Sequence, residues 1–419
     1  MYSVLRYFNA IFVASRRCLA LTVAVLFFNE YLIYYVVIRQ CSWPEAPKDG
    51  NKLNSLIVAD PHLLGVWRGH WFDKLRREWQ MGVAFDTALK LHNPEVVFVL
   101  GDLFDEGMWS DKALFDRYTA RFMQLFHSNG IPVFAVVGNH DTGFHYNLHP
   151  VRLKWFSDAF GMDSVHLQVL KGLPFVLVNS MAMENDGCTL CNYAIYKLLN
   201  VNRTLHCVKE RRHGESCGAS NLTTYVQPVL LQHFPLYRKS DALCQESDAA
   251  PYYQRHKKMR QSWECLSKAS SLLLLEQLQP RAVFSGHTHH GCVTMHSSLR
   301  IPEWSVSSFS WRNTNNPSVL LVRSYLEMFF IVQELNYPQC IRNSTERLPL
   351  RYLHSKRSLR NQMFIAEGID CHCTLRHHHL VLMYIDEATC FPLASRIEGS
   401  CYSNTPFIFS YRSTYTLAL

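Results

Sequence analysis

The chain has 419 residues, enough to bury a large core in one big or two small domains. Hydrophobic residues make up 48% and charged residues 18%, the balance of an ordinary, slightly apolar globular protein. The net charge of +8 is spread along the sequence with no dense Lys/Arg block, which argues against a nucleic-acid partner.

The first element is "CLALTVAVLFFNEYLIYYVVI", Cys18 to Ile38, a mostly apolar run of the roughly 20 residues that a bilayer core requires. It is longer than the apolar part of a cleaved signal peptide, so an uncleaved transmembrane anchor is expected over 18–38. Arg6, Arg16 and Arg17 precede it, while only Arg39 follows at once. The positive-inside rule then puts residues 1–17 in the cytosol and the rest of the chain across the membrane. Glu30 interrupts the run. An ionisable residue there is costly, so it either contacts a partner helix or lipid, or is protonated and tolerated.

After a linker over 39–54, strand-like apolar runs alternate with helical patterns. "LNSLIVAD" reads as a strand, "WFDKLRREWQMGVAFDTALKLH" as a helix and "PEVVFVLGD" as a strand. "DKALFDRYTARFMQLFHSNG" reads as a helix stopped by Gly130, and "IPVFAVVGNHD" as a third strand. "HLQVL", "FVLVNS", "PVLLQHF" and "RAVFSGH" continue the series. This alternation predicts a layered α/β domain over 55–322 with parallel strands at its centre.

A polar stretch over 184–226 reads as a loop-rich surface insertion. Six cysteines crowd in and after it (Cys188, Cys191, Cys207, Cys217, Cys244 and Cys265) and are expected to form disulfides among themselves in an oxidising lumen. The glycosylation acceptors at Asn202 and Asn221 suit the same compartment. Beyond Val322, residues 323–419 show no clear periodicity and no second span. Cys371, Cys373 and a run of three histidines in that tail match no common metal-site spacing.

The chemistry lies at the ends of the strands. "VADPH" supplies Asp60 and His62, "LGDLFDEG" supplies Asp102 and then Asp105, and "VGNHD" supplies Asn139, His140 and Asp141. "LLQHFP" supplies His233, and "VFSGHTH" supplies His287 and His289. In an open α/β sheet, ligands sit beyond the carboxyl ends of the strands, so these residues are expected to converge. Carboxylate, imidazole and amide oxygen suit Mn²⁺, Fe or Zn²⁺, and they are too numerous for one ion. Two ions sharing a bridging carboxylate fit better, an arrangement used to cleave phosphate esters. His140, beside the cluster, could protonate a leaving oxygen, with Asp141 orienting its imidazole.

In their order, DxH, GDxxD, GNHD, H and GHTH, these motifs resemble the calcineurin-type metallophosphoesterase superfamily, over about residues 55–320. The resemblance implies a four-layer α/β/β/α sandwich carrying an N-terminal transmembrane helix. It implies a first metal on Asp60, His62, Asp102 and His289, a second on Asp102, Asn139, His233 and His287, and His140 as catalytic acid or phosphate contact. The anchor "FFNEYLIYYVVI", the segment "SFSWRNTNNPS" and the Cys-rich excursion are similar to the branch of that family that remodels GPI glycans. For this chain that implies a Mn²⁺-dependent phosphodiesterase removing ethanolamine-phosphate from the second mannose of GPI anchors. GPI-anchored proteins would be its substrates and the ER cargo-export machinery its partner. Its place would be the membrane of the early secretory pathway, with the catalytic domain lumenal. Members of that branch close with a second span and a basic tail, and residues 323–419 show neither. A non-enzymatic trafficking adaptor on the same fold, or a phosphoesterase of another lumenal substrate, are the competing readings.

Overall fold

Nine helices are present among the described residues: α1 (Tyr2–Phe27), α2 (Ile33–Ile38), α3 (Trp71–His92), α4 (Lys112–Leu125), α5 (Asn139–Thr142), α6 (Pro150–Phe160), α7 (Cys191–Glu210), α8 (Tyr252–Arg255) and α9 (Lys268–Leu278). The structure, a computed structural model, describes residues 2–44, 52–210, 217, 222–296, 300–314, 317–326, 330–336, 340–344 and 353–355. Side chains that accept from unpaired amides start several of these helices. Asp111 accepts from Leu114 N at 2.8 Å to start α4, and Ser267 from Ser270 N at 3.1 Å to start α9. The helix α4 ends at Leu125 rather than at Gly130, which lies in the following turn with φ of 88°.

The seven apolar runs become β1 (Lys52–Val58), β2 (Val96–Val99), β3 (Val133–Ala135), β4 (Val165–Leu170), β5 (Leu173–Val178), β6 (Val229–Gln232) and β7 (Ala282–Ser285). After them come β8 (Cys292–His296), β9 (Ile301–Ser305), β10 (Ser318–Tyr325), β11 (Phe330–Asn336), β12 (Cys340–Ser344) and β13 (Leu353–Ser355). One sheet has the order β13-β12-β11-β10-β1-β2-β3, the other β4-β5-β6-β7-β9-β8. The segments β1, β2 and β3 run parallel, as do β5, β6, β7 and β9. Every residue of β2, β5, β6 and β7 is buried, as parallel strands covered on both faces must be. Phe98 of β2 meets Phe175 of β5 with ring centroids 4.9 Å apart, so the two sheets face each other across one apolar core. This is the layered α/β architecture that the alternation predicts.

The ends of the expected segments carry packed structure of their own. The chain divides into a unit containing Met1–Phe28 and a unit beginning at Asn29. In the first, Phe12, Leu19, Val23 and Phe27 are bare apolar side chains on α1, as lipid-facing residues are. Phe12–Ile38, which contains the expected run over 18–38, is long and apolar enough to cross a membrane. In the second unit, Tyr34, Val37 and Ile38 are buried, and the Tyr34 ring meets Trp311 edge-on. The last turn of the expected span therefore packs on the α/β domain. The Glu30 carboxylate pairs with Arg76 of α3 at 2.5 Å.

The expected linker is likewise packed where it is described. Trp43 Nε1 donates to His92 O at 2.8 Å, and Pro44 O accepts from Arg323 Nη1 at 2.5 Å. At the other end β10 runs through the expected boundary at 322, and β11 adds to its edge in antiparallel register, Ser318 opposite Asn336. Backbone pairing carries these strands where side-chain periodicity is weak. Residues 356–419, including the Cys/His cluster of the tail, lie outside the described residues.

The Cys-rich excursion is not a loop. Its centre is the 20-residue α7, whose Ala194, Leu198, Val201, Leu205 and Val208 are buried at helical spacing. Cys188 pairs with Cys191 and Cys207 with Cys217. Cys244 pairs instead with Cys292 on β8, and Cys265 is a free thiol buried in the core. Asn202 lies inside α7 with its amide donating to Gln277 Oε1 at 2.6 Å; Asn221 is not among the described residues.

Candidate metal centre

The chemistry-bearing residues sit where strands from both sheets release the chain. Asp60 and His62 follow β1, Asp102 follows β2, and Asn139 and His140 follow β3. His233 follows β6, and His287 and His289 follow β7. The strand ends are tied to one another: Asp60 N donates to Gly101 O at 3.2 Å, His62 N to Asp102 O at 2.9 Å, and Gly286 N to His233 O at 2.9 Å. At Gly138, a side chain would put its first carbon 2.1 Å from Asp102 N, so only glycine lets these two turns approach.

The donor atoms fall into two sets. Asp60, His62 and His289 bring one ligand atom each within 4.8 Å of the others; Asp102, His233 and His287 do the same. His62 Nε2 lies 3.0 Å from His289 Nε2. His233 Nε2 lies 3.0 Å from Asn139 Oδ1, which brings the amide into the second set. One atom links the sets: Asp102 Oδ2 is 3.4 Å from His62 Nε2 and 3.3 Å from His233 Nε2. Two of the other ring nitrogens are spoken for. His233 Nδ1 donates to Leu100 O at 2.8 Å and His287 Nε2 to Trp263 O at 2.8 Å, which fixes the tautomer that leaves the inner nitrogen as a donor to a metal.

The backbone here is strained. Asp60, His62, Asp102, His287 and His289 have φ between 46° and 71°, in the left-handed region. Non-glycine residues enter that region at a cost of order 1–3 kcal/mol each, and such strain clusters at functional sites. Here it turns five side chains inward from tight turns that a relaxed strand exit would not supply.

The electrostatics call for cations. Asp60, Asp102 and Asp141 are all at most 1% exposed. Burial drives the Asp60 carboxyl well above its usual range, with the charge of Asp102 adding to it. Burial, then the Asp102 charge, pushes Asp141 up to about 8. Burial would also raise Asp102, but His233, His140 and His62 outweigh it and hold it well below. Burial lowers His62, His289 and His287, the last to about 3, so these imidazoles are neutral and offer lone pairs. His233 is the exception: burial lowers it, but Asp102 and Asp60 pull it up to about 9, so a proton partly compensates the carboxylates. Neutral His62, 3.4 Å from the buried Asp102 carboxylate and 3.0 Å from the neutral His289 ring, belongs to a donor set that divalent cations of borderline softness take.

Known sequences bear on the same residues. The profile of the family described as calcineurin-like phosphoesterase matches residues 53–291, more than half the chain. The chain belongs to that family. Metallophosphoesterase 1 of Macaca fascicularis is 47% identical over 315 residues, 73% of this chain and 79% of that protein. The Metallophosphoesterase 1 homolog of Drosophila melanogaster is 47% identical over 309 residues, 73% of this chain and 82% of that protein. A dimetal phosphatase from Danio rerio, known by crystal structure, is 13% identical, with a TM-score of 0.43 over 70% of this chain and 98% of its own. This member of the family is a metal-dependent phosphoesterase, and its two donor sets suit two divalent cations.

One expected role moves within the family site. Asp141 does not orient His140: its Oδ2 accepts from Gly138 N at 2.8 Å and its Oδ1 from Phe104 N at 3.0 Å. At the third position of the short α5, its carboxylate folds back onto free amides and stays with them. His140 Nδ1 donates instead to Asp105 O at 2.9 Å, and its backbone N donates to Asp102 Oδ1 at 2.8 Å. The imidazole is 29% exposed.

Sequence reasoning assigned no role to Asp105 and Arg312. Asp105 Oδ1 lies 3.4 Å from His62 Nδ1, and its Oδ2 pairs with Arg312 Nη1 at 2.7 Å. Burial works against its charge, but His62 and Arg312 hold the carboxyl well below its usual range. The GDxxD spacing was the available signal for Asp105. Arg312 sits in "SFSWRNTNNPS", whose Ser308 Oγ also donates to Asp60 O at 2.7 Å, so this segment buttresses the site from outside every motif.

Proposed function

We propose that this chain is a membrane-anchored phosphodiesterase of the early secretory pathway that removes ethanolamine-phosphate from the second mannose of GPI anchors. The observation that carries the hydrolase chemistry is the single carboxylate oxygen of Asp102 placed between two donor sets. In this reading Asp60, His62, Asp102 and His289 hold one cation, and Asp102, Asn139, His233 and His287 hold the other; both are Mn²⁺. When bound, the cations supply Lewis acidity, lowering the pKa of water and offsetting charge on the phosphoryl oxygens. His140, fixed through Nδ1 by Asp105 O, delivers a proton from Nε2 to the departing mannose oxygen. Arg312, half-exposed and paired with Asp105, stands ready to meet a phosphoryl oxygen.

A cavity of about 370 Å³ opens beside His287, lined by Asp241, Tyr253, Lys257, Glu264 and His290. A tyrosine ring beside hydrogen-bonding and acidic groups suits a hexose carrying a cationic amine. Relatives at 47% identity over most of the chain support a shared substrate, because the likeness extends well beyond the ligand motifs. GPI-anchored proteins are then the cargo, delivered to the export machinery of the endoplasmic reticulum once trimmed.

The test is mass spectrometry of GPI glycans from cells lacking this protein. The reading requires ethanolamine-phosphate retained on the second mannose and its removal when the intact chain is restored, but not when Asp102→Ala is restored. Glycans unchanged by the deletion would refute the substrate. Restored cargo export with Asp102→Ala would favour a non-enzymatic adaptor.

A further inference from the structure

The helix α3 has two apolar faces. Met81, Ala84, Phe85, Ala88 and Leu89 are buried against the domain. On the outer side Trp71, Phe72, Leu75 and Trp79 are bare, and Val66 and Trp67 in the preceding loop continue the row, each between 48% and 68% exposed. The spacing of Trp71, Leu75 and Trp79 is one helical turn each, so they make one stripe. Six large apolar side chains exposed within fourteen residues are far from the scattered exposure of an ordinary surface.

The stripe ends against Glu30 and Tyr31, early in the same unit of the chain. Trp79 Nε1 donates to Glu30 O at 3.3 Å, and Arg76, on the next face of α3, pairs with the Glu30 carboxylate at 2.5 Å. A cleft of about 460 Å³ lies alongside, apolar at Leu75, Trp79, Val83 and Leu125 and polar at Glu78, Asp86, Arg121 and Gln124. Asn29, Glu30 and Tyr31 are the first polar residues after the apolar run ending at Phe28, and on this inference the chain leaves the apolar part of the bilayer there. Tryptophan and tyrosine with flanking arginine and lysine are the side chains that settle at such a surface.

The row also reaches the metal centre. Three residues separate His62 from Val66. The loop between them and α3 is pinned by the fully buried Glu106, which accepts from Trp67 N at 3.1 Å and Arg68 N at 2.6 Å; Tyr118 OH meets Val66 N at 3.0 Å.

We infer that the stripe Val66–Trp67–Trp71–Phe72–Leu75–Trp79 is a lipid-binding platform that lays this domain on the surface of its own membrane, with the loop after His62 at the headgroups. The inference goes beyond the proposed reaction and rests only on the N-terminal segment remaining in the bilayer. The occupant is lipid rather than protein because Trp79 and Arg76 hold Glu30, two residues after the apolar run that ends at Phe28, so chain connectivity alone keeps the bilayer near the stripe. A site so placed favours phosphodiesters close to the bilayer.

The test uses the intact chain in phosphatidylcholine nanodiscs. The sequence has no tryptophan before Trp43, so emission reports on the domain and not on the span. Lipids brominated near the headgroup end of the chain should quench the native protein at least about twofold more than lipids brominated at the chain terminus. W71F/W79F, which keeps the stripe apolar, should lose most of that quenching. Absence of quenching, or equal quenching in both proteins, would overturn the platform and leave the face to water or another protein. Leu75→Glu supplies the second readout. The KM for a phosphodiester embedded in vesicles should rise about tenfold while kcat/KM for soluble bis-p-nitrophenyl phosphate stays unchanged. Equal effects on the two substrates would overturn the platform while leaving the hydrolase reading intact.

Discussion

His140 takes its orientation from Asp105, not from its neighbour Asp141: His140 Nδ1 lies 2.9 Å from the Asp105 main-chain oxygen and 3.9 Å from its carboxylate. His140→Gln should lower kcat by about 10²–10⁴-fold and leave the metal content unchanged, as loss of a proton donor does. Asp105→Asn keeps the main-chain acceptor but loses the charge facing His62 and Arg312, so kcat should fall by about 10–100-fold. Asp141→Asn should instead act on folding. It weakens two buried hydrogen bonds to Gly138 and Phe104, worth about 1–3 kcal/mol in all. Hydrolysis of bis-p-nitrophenyl phosphate per folded molecule, set beside thermal unfolding, separates the three.

Acid stability should depend on a carboxylate remote from the metals. Glu303 of β9 is fully buried and accepts from Leu236 N, Ser285 Oγ and His296 Nε2, each at 2.9 Å, with Arg238 Nη1 at 3.6 Å. Burial would raise its pKa, but the bond to His296 and the charge of Arg238 lower it below the ordinary 4.5. A carboxylate lowered in the folded state stabilises above its unfolded pKa, and that contribution disappears as pH falls through the folded value. Glu303→Gln should therefore cost about 3–5 kcal/mol at pH 7 in urea unfolding, with the gap to native protein closing below about pH 4. A gap independent of pH would show that the lost hydrogen-bond geometry, not the charge, was responsible.

The Cys244–Cys292 bridge ties a surface loop to β8 just beyond the GHTH turn and closes a separation of 48 residues. Cys292→Ser, or reduction of the native protein, should cost about 2–5 kcal/mol of stability and loosen the turn bearing His287 and His289. Differential scanning calorimetry with and without reductant reads the first effect, and metal titration the second. Cys265 should not react: burial pushes its thiol up to about 11, so iodoacetamide at pH 8 should modify it only after unfolding.

The strands and the metal donors were legible because each donor follows an apolar run by one to four residues, a local signal that survives without knowledge of contacts. Asp105 and Arg312 were not, since one acts largely through a main-chain oxygen and the other arrives from a segment 207 positions later. The helix α7 was legible in its buried 4-3-4-3 spacing from Ala194 to Val208, yet its flanking cysteines suggested a disulfide-laced loop. The partner of Cys244 could not be read, because pairing follows from proximity and Cys292 lies outside the cysteine-rich stretch. The packing of residues 34–38 was hidden for a different reason. Apolar side chains facing lipid and apolar side chains facing a protein core look alike in sequence, and Tyr34, Val37 and Ile38 face the core. Likewise nothing local in the sequence separates the exposed Trp71 and Trp79 from the buried Phe85 on the same helix.

The central claim is tested most directly at Asp102, by elemental analysis and hydrolysis on one preparation. Native protein loaded with Mn²⁺ should carry about two ions per chain and cleave bis-p-nitrophenyl phosphate, while Asp102→Asn should bind about one ion fewer and lose at least about 10³-fold in kcat/KM. An Asp102→Asn protein that keeps both ions and full turnover would contradict the shared-carboxylate site.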